Sequence, residues 1–199
     1  MLSSYLGSAV LFPYDAFLDD ATRTRYDIEN LSQRYGASFE QVCHRLVTLR
    51  RESAAGIPFA FLRTDVAGYT AKRFPLPDFP LPRHGHACPL WAIFAAFQTP
   101  GRIVRELAEF PDRSRSLTIA RSVTKQPATF HEPRILYAVM LACDAVHAAK
   151  TVYADGLDFA AQESVSQVGP GCRLCPRRQC LQRQEEPIVQ TKTRSTAGI

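Results

Sequence analysis

The chain has 199 residues, 46% hydrophobic and 22% charged, with a formal net charge of +5. That length is enough for one domain with a sizeable core and a smaller lobe. No apolar run approaches the ~20 residues that span a bilayer, and Met1-Leu2-Ser3-Ser4-Tyr5 lacks the basic-then-apolar opening of a secretory signal. These features predict a cytoplasmic protein with no membrane partner, whose six cysteines point to metal rather than disulfides. So modest a positive charge is a weak argument for nucleic acid.

The first fifty residues read as helical. Tyr5, Leu6, Ala9 and Val10 share one face, and Pro13 ends or kinks that helix. After a polar stretch, Ile28 to Tyr35 forms a second helix stopped by Gly36. Ser38 then caps a third, with Gln41 completing a capping-box pattern and Val42, Leu46 and Leu49 facing the core. The layout has the outline of a helix-turn-helix. Only Gln41, His44 and Arg45 could reach bases or phosphates, and no basic arm flanks them, so it reads as a packing hairpin.

Residues 57–62 form a short apolar strand, 65–68 a turn, and 69–74 a half-exposed strand. Prolines 75, 77, 80 and 82 keep the next stretch extended and deliver the chain to His84-Gly85-His86-Ala87-Cys88. Leu90, Trp91, Phe94 and Phe97 predict a helix ended by Pro100-Gly101. Ile103, Val104, Leu107 and Phe110 predict another. Residues 116–123 alternate as a strand with one wet face, and 134–143 is apolar enough for a central strand. Asp144 caps a closing helix stopped at Gly156. The expected fold is α+β: N-terminal helices, then a PAS/GAF-like antiparallel sheet with helices on one side, and a Cys-rich C-terminal metal loop.

That loop carries the strongest signal. Cys172, Cys175 and Cys180 follow a C-x2-C-x4-C spacing, with Arg173, Arg177, Arg178 and Arg183 around them. Three thiols in so short and basic a segment are hard to place in a core, and Cys88 supplies a distant fourth. Nearby arginines favour thiolates, and four thiolates around Zn²⁺ or an oxidised [4Fe–4S] cluster leave the same −2 charge. A compact triplet with one remote cysteine follows cluster ligation more than paired zinc knuckles. Proline after Cys88 and Cys175 fits a cluster loop as well. Zinc is the alternative, with His84 or His86 replacing a cysteine; a site without metal is the third.

Cys43 and Cys143 lie on apolar faces and read as buried thiols. His147, one turn after Asp144, reads as an ordinary helix histidine. The chain has no H-E-x-x-H, G-x-S-x-G, phosphate-loop or G-x-G-x-x-G motif, so no enzyme is predicted.

Four segments, CPLWAIFAAFQTPGRIVRELAEFPD, SLTIARSV, LACDAVHAAKTVYADGLD and GCRLCPRRQCLQRQEEP, resemble the C-terminal domain of the short-chain fatty acyl-CoA regulators, over residues 57–187. VLFPYD and LSQRYGASFEQVCHRL resemble the end of an ImmA/IrrE-type peptidase-like domain. The division implied is 1–52 for the helical end of that domain, 53–187 for the sensor with its metal centre, and 188–199 for a flexible tail. The resemblance implies a bacterial transcription factor of propionate or glyoxylate-type metabolism. It implies a [4Fe–4S] cluster on Cys88, Cys172, Cys175 and Cys180, and a response to short-chain acyl-CoA. DNA would be bound only through an Xre-type domain that this sequence lacks, so the chain reads as a fragment or a shortened form. A homodimer is expected from paired half-sites. If a CoA site is present, Arg63, Lys72, Arg73 and Arg121 on the predicted strands, with Tyr137 on the same sheet, are candidates for it; a solvated sheet face is the competing explanation.

Overall fold

The computed structural model of the chain describes residues 11–77, 79–81, 86–125, 129–159, 161 and 165–188. The predicted helix around Tyr5 and Val10, together with His84 and Gly85, lies outside them.

Leu11 is still helical and Phe12 bends, so the chain breaks before Pro13 as expected, and Pro13 also opens the next helix. It stands at the N-cap of α1 (Tyr14–Arg23), whose Phe17 and Ala21 are buried. A proline there has no helical N–H to withhold from the ladder. α2 (Ile28–Tyr35) follows and stops at Gly36, which adopts the left-handed conformation at φ 59°. In α3 (Phe39–Val47) both bonds of the capping box are present: the Gln41 amide donates to Ser38 Oγ, and the Ser38 amide donates to the Gln41 side chain. Val42, Cys43 and Leu46 are fully buried. The hairpin packs against the protein's own core. Tyr26 and Tyr153 fix it there, accepting the amides of Ile57 at 3.1 Å and Ile28 at 2.9 Å.

Beyond a two-residue pairing of β1 (Arg50–Arg51) with β2 (Ala54–Ala55), one six-stranded sheet dominates. Its strands are β3 (Ala60–Asp65), β4 (Thr70–Phe74), β5 (Ile103–Glu109), β6 (Arg115–Lys125), β7 (Ile135–Asp144) and β8 (Val165–Gln167), in the order β4-β3-β7-β6-β5-β8. All neighbours are antiparallel except β8, which runs parallel to β5.

Several sequence expectations fail here. Residues 103–109 are a strand, not a helix: both faces of β5 are covered, so its apolar residues lose the strict alternation that marks a strand. The sheet also has no wet face along its centre. Leu117, Ile119, Val139 and Leu141 pack beneath the N-terminal helices. On the other face Ala108, Ala120, Ala138 and Ala142 leave room for α4 (Ala92–Gln98), which buries Ala92, Ile93 and Ala96. Helices therefore cover both sides rather than one. Asp144 caps the following segment as predicted, accepting the Val146 amide at 2.8 Å, but residues 145–154 form two short 3₁₀ turns instead of one α-helix.

Trp91 anchors the α4 side. It meets Phe79 and Phe110 with all three ring-centroid separations between 5.4 and 5.5 Å.

Candidate metal centre

Cys88 lies just ahead of Trp91 and is buried at 6% exposure. The C-terminal arm comes to it from the far edge of the sheet. β8 pairs with β5, the Val168 amide donates to Glu109 O at 3.0 Å, and the carbonyl of Gly169 accepts the indole Nε1 of Trp91 at 2.8 Å. The chain then turns through Cys172–Leu174 as a single 3₁₀ turn.

The arm leaves no spare room. A Cβ at Gly169 would stand 2.7 Å from Cys175 Sγ, and one at Gly171 would stand 2.8 Å from the His86 carbonyl. Only glycine allows the backbone that close to a sulfur.

Cys88, Cys172 and Cys175 converge. Burial pushes the Cys88 thiol up, and the negative charge of Cys172 and Cys175 pushes it further; amides of Leu90 and Gly169 donating to its sulfur pull the other way. The Gln184 amide donates to Cys172 Sγ at 3.4 Å. Cys180 lies on the same loop, its carbonyl accepting the Arg183 amide at 3.2 Å. Among the described residues, no three His, Cys, Asp or Glu side chains form a group that could hold a metal ion as they stand. A single zinc draws four sulfurs to within ~3.8 Å of one another, given Zn–S bonds of about 2.3 Å; a cluster of iron and sulfide holds its thiolates farther apart. The donor set is therefore thiol-only, close-packed by glycine and supplied with N–H···S donors, all of which fit a cysteine-ligated group. His86 is turned elsewhere: its ring lies 4.8 Å from that of Tyr69.

Two arginines hold the loop. Arg183 donates through Nη1 to the Cys172 carbonyl at 3.0 Å and through Nη2 to the Cys175 carbonyl at 3.3 Å, and it also reaches the Arg177 carbonyl. Arg177 donates to Glu109 O at 2.9 Å and to the Gln167 side chain, tying the loop to β5 and β8. The sequence marked both as charges favouring thiolates; their main work is on carbonyls. Cys43 and Cys143 are buried as expected, and burial pushes the Cys143 thiol to about 12.

Residues 48–196 match the family described as short-chain fatty acyl coenzyme A regulator, C-terminal. The chain belongs to this family. Residues 3–47 match an IrrE N-terminal-like domain. Similar proteins include the propionyl-CoA carboxylase regulator of Cereibacter sphaeroides, 46% identical over 94% of this chain and 40% of the relative. The HTH-type transcriptional regulator PrpR of Mycobacterium tuberculosis is 41% identical over 92% of this chain and 37% of its own length. A solved structure of a Mycobacterium tuberculosis transcriptional regulator aligns with TM-score 0.87 at 39% identity, over 98% of this chain and 60% of that one. The chain thus spans about 40% of the length of these curated relatives.

The five candidate ligand residues read from the predicted strands divide between the two faces of the sheet. Register places Arg63 opposite Lys72 and opposite Val139, and Val139 opposite Arg121, with Tyr137 two residues before Val139. These side chains share the face of the N-terminal helices. Arg73 pairs with Leu62 and belongs to the α4 face, so it stands apart from the other four. None of the three cations on the helix face is a simple solvated strand charge. Arg63 bonds Glu40 of α3 at 2.8 Å, and Arg121 bonds Glu29 of α2 at 3.2 Å. Lys72 Nζ lies 3.5 Å from His44 Nδ1. A cleft of about 270 Å³ opens beside Arg63 and Tyr137. A second, of about 230 Å³, lies on the opposite face between Phe79, Phe110, Arg115 and Asp144.

Proposed function

We propose that this chain is the sensor part of a transcription regulator of short-chain acyl-CoA metabolism, and not a catalyst. In this reading Cys88, Cys172, Cys175 and Cys180 hold a [4Fe–4S] cluster, acyl-CoA is the effector, and the sheet serves as a PAS/GAF-like sensor platform. The observation that carries the metal centre is the meeting of Cys88 with Cys172 and Cys175 from opposite ends of the sensor domain. The effector is supported by the family's description and by the name of the Cereibacter sphaeroides relative, a propionyl-CoA carboxylase regulator. DNA contact would be made through a helix-turn-helix segment of the kind named in the Mycobacterium tuberculosis relatives, by a homodimer in the cytoplasm.

When bound, the cluster supplies a redox-sensitive crosslink. The chain's own residues do the rest: Gly169 and Gly171 admit the sulfurs, Arg183 holds the loop, and Trp91 latches it to α4. Anaerobic purification with iron, sulfide and zinc analysis tests the centre. About four irons per chain with absorbance near ~400 nm is expected. A colourless protein carrying one zinc would overturn the cluster. Titration with propionyl-CoA tests the effector, and absence of binding would remove it.

A further inference from the structure

We propose that the cleft between the start of α3 and the end of the β6–β7 hairpin binds a phosphate group, with Arg63 and Lys125 contacting its oxygens. The proposal deepens the effector reading above, since coenzyme A carries phosphates at its nucleotide end.

The cleft measures about 270 Å³, and Ser38, Glu40, Arg63, Val123, Lys125 and Tyr137 line it. That suits a phosphorylated sugar or a diphosphate, and is smaller than the pockets that enclose a whole drug-sized ligand. Its chemistry is cationic. Arg63 contributes a guanidinium fixed on two sides: its carbon lies 4.8 Å from the Tyr137 ring centroid, and its Nη1 donates to Glu40 at 2.8 Å. Its Nε is buried and has no hydrogen-bond partner among the described residues, which is costly for a charged donor unless something completes it. Lys125 stands exposed at the end of β6. Lys72 lies directly across from Arg63 and adds a third positive charge.

Glu40 is the acid among the lining residues. Arg63 and His44 share its carboxylate, at 2.8 and 3.6 Å. Two cations, Arg63 and Lys125, therefore line the cleft with one carboxylate, and Lys72 lies across the strand pair from Arg63. The start of a nine-residue helix at Ser38 contributes the positive end of its dipole to the same cleft. Arginine with a fixed fork suits phosphoryl oxygens, and an exposed lysine adds charge without a geometric demand. The residues were visible in the sequence only as scattered strand charges. Placement of Lys125 and Tyr137 beside the start of α3 depends on long-range register.

The test is titration calorimetry on the full chain with two probes, inorganic pyrophosphate and propionyl-CoA, and with propionyl-pantetheine as a phosphate-free control. Lys125→Gln alters an exposed side chain and leaves the packed core alone, so it keeps the test valid if Arg63→Gln fails to fold. Each substitution is expected to weaken pyrophosphate and propionyl-CoA by roughly tenfold and to leave propionyl-pantetheine unchanged. Pyrophosphate affinity equal to the parent's in Lys125→Gln, or no pyrophosphate binding by the parent, overturns the cleft. If pyrophosphate binds as expected while propionyl-CoA does not, the effector reading fails and the phosphate site stands. Propionyl-CoA binding that ignores both substitutions has the reverse meaning.

Discussion

The indole of Trp91 and the carbonyl of Gly169 are joined by a 2.8 Å hydrogen bond between α4 and the cysteine arm. It latches the arm at Gly169, whereas Arg183 holds the carbonyls of Cys172, Cys175 and Arg177. Trp91→Phe keeps the aromatic contacts with Phe79 and Phe110 and leaves a buried carbonyl short of its donor. A loss of about 1–3 kcal/mol is expected in urea unfolding. Trp91 is also the single tryptophan of the chain. Its emission should change when the cysteine site is loaded, which a fluorescence titration during reconstitution would read.

Gly169→Ala is predicted to damage the site more than the fold. Its Cβ would fall 2.7 Å from Cys175 Sγ and 3.0 Å from Cys175 Cβ. Cys175 must move, so metal content after reconstitution should fall well below the parent's while far-ultraviolet circular dichroism stays the same. Full metal loading in the variant would show that the loop has slack.

Arg183→Gln should loosen the three-cysteine loop even without metal, because the guanidinium satisfies the carbonyls of Cys172, Cys175 and Arg177. Alkylation of Cys172 in the metal-free protein should be faster than in the parent. Arg183→Lys should not restore the parent rate, since an ammonium cannot reproduce the planar fork.

A pH dependence is expected from His44. Burial, then the charges of Lys72 and Arg63, lower its pKa from 6.5 to about 4. Between these values the unfolded chain takes up a proton that the folded chain refuses. The stability held by neutral His44 is whole above pH 6.5 and is lost as pH falls through about 4. Because the ring is partly solvent-screened, the loss should be on the order of 1 kcal/mol. His44→Phe retains packing on Phe61 and Phe74. Urea titrations at pH 7 and pH 4.5 should show a smaller drop in that variant than in the parent.

Local signals were legible and long-range ones were not. Ser38 with Gln41, Gly36 after Tyr35 and Asp144 before Val146 each act within a few residues, and each cap forms as the sequence predicts. The C-x2-C-x4-C spacing singled out Cys172 and Cys175, but their approach to Cys88 depends on the arm that crosses from β8. β5 was misread because Ile103, Val104, Leu107 and Phe110 mimic helical spacing when both faces of a strand are buried; the paired β-branched Ile103 and Val104 were the available counter-signal. β8 left almost no trace. Three residues that join a sheet edge in parallel are defined by where the chain is led, not by their own pattern. The separation of Arg73 from Lys72 follows from strand alternation, but which face lay under the helices required the register.

β8 also has a consequence for handling the protein. It covers Leu107–Glu109 of β5 with three paired residues, and it is held there by the same arm that carries Cys172, Cys175 and Arg177. If that arm detaches, β5 becomes a bare strand edge with unmet backbone groups, the kind of edge that recruits strands from other chains. Aggregation during metal stripping would then begin at this seam rather than from global unfolding, and reagents that keep the arm seated should suppress it.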